Sequence, residues 1–162
     1  MSAERPLVMR GTLDDTDVKR VLMHVLENNE RFGPGVRLDS MEVLRTRTRD
    51  EDVRRVLCNA ARRDGNASVR LKALEALRGF GEDEQVRQAL LDTLLNDRNP
   101  GVRVVAIGVL RAMAENSKVL PKLRQDQRVV KVLEDLMRSD PNQFVRMQSA
   151  AAVREIGPRQ TY

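Results

Sequence analysis

Aromatic side chains are nearly missing from this chain: they make up 2% of 162 residues, with no tryptophan and one tyrosine, Tyr162. A core without them has to be filled by Leu, Val, Ala and Met, which suits helix packed on helix, whereas β-sheet proteins draw more on aromatics. A single cysteine, Cys58, excludes an internal disulfide and any zinc site built on several thiolates. A single histidine, His24, leaves little for imidazole chemistry. No apolar run is long enough to span a bilayer, and residues 1–11 lack the apolar stretch of a secretory signal. There is no glycine-rich phosphate loop, because Gly33-Pro34-Gly35 reads as a turn. No cofactor, metal site or catalytic constellation is implied, and a non-enzymatic role is expected.

Charge is plentiful: 33% of residues are charged, for a formal net charge of +5. The signs are interspersed, so the excess reads first as a solvated surface. Weak, sequence-blind contact with nucleic acid remains an alternative to a protein partner. With 41% apolar residues the chain has enough to bury a core.

The strongest signal is an internal repeat. Val-Arg recurs at Val36-Arg37, Val69-Arg70, Val102-Arg103 and Val145-Arg146, in steps of 33, 33 and 43 residues. Upstream of each marker lies a helical stripe. Val53, Val56, Leu57, Ala60 and Ala61 form it in unit 2; Val86, Ala89, Leu90, Thr93 and Leu94 in unit 3; Val129, Val132, Leu133, Leu136 and Met137 in unit 4. Unit 1 offers Val18, Val21, Leu22, Val25 and Leu26. This i, i+3, i+4, i+7, i+8 spacing is one face of a helix, here helix A. A second helix, B, follows each marker, with Met41 and Leu44, Leu74 and Leu77, Ile107 and Leu110, or Ala150 and Val153 on its apolar side. Asp64-Gly65-Asn66, Asp97-Arg98-Asn99-Pro100 and Asp140-Pro141-Asn142 supply turns and N-caps between A and B. Further Val-Arg pairs, Val53-Arg54 and Val86-Arg87, fall in helix A and are set apart from the marker.

Neither helix of a pair can bury its stripe alone, so the pairs must stack. The expected architecture is an all-α solenoid of about four antiparallel helix pairs. Residues 1–16 form a leader or cap, and the units lie at about 17–48, 50–81, 83–113 and 127–157. Residues 114–126 are an insertion and 158–162 a tail.

The segment from Asp97 to Arg103, DRNPGVR, with Ala106 and Leu110, resembles bacterial HEAT repeats of the phycobilisome-lyase type, as do VRLKALEAL (69–77) and residues 140–153. The run VRQALLDTLLNDRNPGVRV (86–104) is also similar to the HEAT-repeat tails of membrane-anchored, anti-sigma-like zinc-finger proteins. The resemblance spans about residues 17–157. It implies the fold and a binding role, with no chemistry attached. A complete chain of this kind would be soluble and cytoplasmic; a tail of such an anchored protein would lie outside the cytoplasm. The chain itself is expected to make no membrane contact.

Several residues carry two readings each. Arg37, Arg70, Arg103 and Arg146 stand at the start of helix B, within reach of the turn aspartates Asp64, Asp97 and Asp140. The resemblance to HEAT repeats implies a structural ladder of such pairs, in preference to ligand binding. Unit 1 has Asn29 in the aspartate slot, so its rung is expected to be weaker. A second column, Arg45, Arg78, Arg111 and Arg154, stands near the ends of the B helices; it complements the helix dipoles or forms a basic stripe. His24 reads as solvated and Cys58 as a packing thiol. Asp14 and Asp15 read as partners of a helix N-terminus.

The outer face of helix B changes character along the array. It is charged at Asp39, Glu42, Lys72 and Glu75, then small and apolar at Val105, Gly108, Ala112 and Ala151. In HEAT solenoids this face usually lines the concave surface. Two outcomes are open: the insertion packs over it, or it is a docking site for a partner protein, rimmed by Arg111 and Arg154.

Overall fold

The computed structural model describes residues 16–158, so Asp14, Asp15 and nearly all of the expected leader and tail lie outside the described residues. The elements are α1 (Thr16–Glu27), α2 (Pro34–Leu44), α3 (Glu51–Arg63), α4 (Ala67–Ala76), α5 (Glu84–Asn96), α6 (Pro100–Ala114), α7 (Leu120–Gln125), α8 (Gln127–Ser139) and α9 (Gln143–Ile156). A single 3-10 turn, Arg45–Arg47, extends α2. No strand occurs among the described residues.

The A helices α1, α3, α5 and α8 pack in sequence as one layer, and the B helices α2, α4, α6 and α9 as the other. The stripes read from the sequence face the seam: Val53, Leu57, Val69, Leu74, Val86, Leu90, Val102, Leu110, Val129, Leu133 and Val145 are all 0–1% exposed. Burying a Leu or Val fully contributes roughly 1.5–3 kcal/mol, so this continuous core is the main stabilising term. Val36 is the exception among the markers, half exposed beside the widened turn of unit 1.

The A–B turns of units 2, 3 and 4 are built alike, whereas α2 starts on Gly33 with no side-chain cap. Asn66, Asn99 and Asn142 cap the following B helix, their side-chain oxygens accepting from Ser68, Gly101 and Phe144 N–H respectively. Two residues earlier, Asp64, Asp97 and Asp140 accept from the N–H of that same asparagine. The Asp-x-Asn turn therefore holds the carboxylate in a fixed pose. Helix A starts on Asp50, Asp83 or Asp126, each accepting the N–H two residues on.

The insertion is ordered. It contains α7, and Val119 and Leu123 anchor it in the core. It lies against Gly81, beyond the end of α4, where an added Cβ would come within 2.8 Å of Val119.

Candidate functional site

The marker arginines reach forward, each to the turn aspartate of the next unit. Arg37 donates from Nε and Nη2 to Asp64 at 2.8 and 2.8 Å, Arg70 to Asp97 at 2.7 and 3.1 Å, and Arg103 to Asp140 at 3.0 and 3.0 Å. These are bidentate, charge-assisted pairs, and the carboxylates are 1%, 5% and 4% exposed. The third guanidinium nitrogen donates to a carbonyl of its own turn: Asp64 for Arg70, Asp97 for Arg103, Asn29 and Phe32 for Arg37.

This direction corrects the expectation for unit 1. Arg37 does not depend on Asn29 for a carboxylate, because its partner comes from unit 2, and it is the most buried guanidinium of the set. Asn29 contributes only its carbonyl. The rung without a partner is at the other end. Arg146 donates to the carbonyls of Asp140 and Pro141 and meets no carboxylate among the described residues.

A second set of inter-unit pairs runs along the opposite edge and was not read from the sequence. Lys19 bonds Asp50 at 2.5 Å, and Arg54 bonds Asp83 at 3.0 Å. Both cations stand in the first turns of helix A and reach the N-cap of the next helix A. Lys19 holds the Asp50 carboxyl below its usual range. Arg54 also lies over the Phe80 ring, 5.3 Å from its centroid. The third such pair is not made: Arg87 binds the carbonyls of Gly81 and Glu82, while Asp126 pairs with Arg128 of its own helix. The signal was the helix A dipeptide Val53-Arg54 and Val86-Arg87, which repeats the marker in the other helix.

On the B layer, Val105, Gly108, Ala112 and Ala151 are half-buried. The insertion does not cover Gly108, since a Cβ there would meet nothing within 4 Å. Gly108, Ala112 and Ala114 line a depression of 420 Å³ together with Arg78, Arg111, Glu115 and Glu155. Arg111 crosses from α6 to α9, donating to Glu155 at 2.9 and 2.6 Å and to Gln148 at 2.9 Å. That hydrogen-bonded guanidinium holds the Glu155 carboxyl below its ordinary value. Arg111 is therefore committed to the fold. Arg45 is likewise paired, with Glu42. Arg78 and Arg154 remain exposed, with no side-chain hydrogen bond or ion pair among the described residues, so the basic column is interrupted.

Sequence reasoning also passed over Phe144 and Met147. They are 53% and 57% exposed and share one stripe of α9 with Ala151, at i, i+3 and i+7. The signal was two large apolar residues off the buried register of Val145, Ser149 and Ala152.

The other candidates are quiet. Cys58 is buried in the core, and desolvation pushes its thiol up to about 11. His24 is exposed against Asn28. No group of His, Cys, Asp and Glu among the described residues is arranged to hold a metal ion, and no described helix is long and apolar enough to cross a membrane.

Stacked antiparallel helix pairs tied by an Arg–Asp ladder define a helical-repeat protein, a class that works through its surface. Residues 54–154 match the HEAT repeats family, well over half of the chain, and the chain belongs to that family. No curated protein and no solved structure matches it.

Proposed function

We propose that the chain is a non-catalytic scaffold that takes a protein partner on the B-layer face of units 3 and 4. The single observation that carries this reading is the exposed stripe of Phe144 and Met147 on α9, the helix packed alongside the α6 that carries the open Gly108. Large apolar side chains left in water on one helix and small ones on its neighbour make a surface that is cheap to desolvate and admits another backbone closely. Val105 and Ala151 extend it, and Arg154 stands free at its rim to pair with a partner carboxylate. Arg111 acts by shaping the floor through Glu155 and Gln148. Family membership supports a binding role of this general kind.

A photo-reactive residue in place of Met147 should cross-link the partner, which is then identified and purified. Gly108→Glu should leave the circular dichroism spectrum unchanged and lose binding to that purified partner. Arg63→Glu, at the exposed end of α3, should retain it. Undiminished binding by Gly108→Glu would remove this surface from the function.

A further inference from the structure

Along the A–B turn edge, two hollows between stacked units can be compared position by position. Where units 2 and 3 meet, Arg62, Gly65, Thr93 and Arg98 line a hollow beside the Arg70–Asp97 pair. One unit on, steps of 33 and 43 residues put Leu95, Arg98, Leu136 and Pro141 in those same places, beside the Arg103–Asp140 pair. The register is kept and the chemistry is not. In the first hollow Arg62 reaches across to Asp92. The second, of 590 Å³, is walled by Leu95, Pro100, Leu136 and Pro141. Leu95 is 63% exposed, the most exposed large apolar side chain among the described residues. Helix packing does not ask for leucine there, since the same slot in unit 2 carries Arg62.

The charges at this hollow leave one cation over. Arg103 holds Asp140, and Arg70 holds Asp97, so both lining carboxylates are matched. Arg98 is exposed, with no side-chain hydrogen bond or ion pair among the described residues. An apolar hollow with an uncommitted guanidinium at its rim is complementary to an apolar side chain close to a carboxylate. We infer that this hollow takes a short segment of a partner protein in which a large apolar residue stands near an aspartate or glutamate. The apolar group rests on Leu95 and Leu136, and the carboxylate pairs with Arg98. The hollow lies at the start of α6, whereas Gly108 stands more than two turns further along that helix, so the two readings fail separately.

The probe is a random peptide library panned on the full chain. Enriched peptides should carry leucine, isoleucine or phenylalanine within a few residues of an acid. Leu95→Arg, a change the array already accommodates one unit back, should leave the circular dichroism spectrum unchanged. It should weaken a purified enriched peptide on the order of tenfold or more, as loss of an apolar anchor does. Arg98→Glu should weaken the same peptide comparably, and a peptide with lysine in place of its acid should recover binding to Arg98→Glu. Gly108→Glu should bind the peptide as the wild-type chain does. Enriched peptides without an acid, or binding that survives both edge substitutions, would overturn the proposal. So would loss of binding in Gly108→Glu, or a library that yields no binder.

Discussion

A single ladder residue shows how much depends on being paired. Arg103→Ala leaves Asp140, 4% exposed, with a desolvated charge and only the Asn142 N–H. The expected loss is about 2–4 kcal/mol in chemical denaturation. Arg37→Ala should cost at least as much, since Arg37 is more deeply buried. Arg146→Ala should cost under about 1 kcal/mol, since no carboxylate is orphaned. Equal losses at all three positions would contradict the forward pairing. Glu155 sets a pH limit at the same scale. Its folded pKa is depressed below the ordinary 4.5, so its contribution is fully present above that value and fades as pH falls through the lower folded value. Glu155→Gln should flatten this part of the acid unfolding curve. The effect is small because the pair is a third or more exposed. The ladder residues were legible in the sequence, since Asp-x-Asn and Val-Arg recur in register. Their partners were not, because spacing along a chain does not say whether an arginine reaches backward to its own turn or forward to the next.

At the scale of elements, two glycines in equivalent-looking chemistry answer to different surroundings. Gly108 sits mid-helix with open space above it, so Gly108→Ala should stabilise by roughly 1 kcal/mol, the ordinary helix preference. Gly81 lies under the insertion, where a Cβ would meet Val119 at 2.8 Å and Met113 at 3.0 Å. Gly81→Ala should therefore lower the thermal midpoint and raise hydrogen exchange in α7. The helices themselves were readable from period 3.6 and from turn residues, and the observed breaks fall where Asp, Asn, Gly and Pro cluster. Helix α7 was not, because six residues carry too short a period to register. Phe144 and Met147 were missed for the converse reason: attention to the buried stripe hides a second stripe on the same helix.

For the molecule as a whole, stability should be distributed and nearest-neighbour in character. Leu90→Ala removes a fully buried side chain at the middle of the array and should cost about 2–5 kcal/mol. It should raise amide exchange in units 2, 3 and 4 together. Val25→Ala, in the first unit, should raise exchange mainly in α1 and α2. Uniform exchange for both variants would mean that the units do not act as neighbours. The architecture was the most legible property, because four repeats of one register leave little freedom. The open Gly108 face was only half legible: its composition showed in the sequence, but whether the insertion covered it depended on where α7 packs.

The missing pair between Arg87 and Asp126 has a mechanical consequence. Between units 1 and 2, and between units 2 and 3, the stack is braced along both edges, by Arg37–Asp64 with Lys19–Asp50, and by Arg70–Asp97 with Arg54–Asp83. Between units 3 and 4 Arg103–Asp140 holds one edge and the more exposed Arg111–Glu155 pair the other, Arg128 of α8 donates to Gln88 of α5, and α6 packs more extensively on α9 than α4 does on α6. Salt screens an exposed pair more than a covered one. The edge of this joint beside the Gly108 floor should therefore loosen as ionic strength rises. Spin labels on α6 and α9 should give a distance distribution that broadens at high salt, while labels on α4 and α6 should give one that does not.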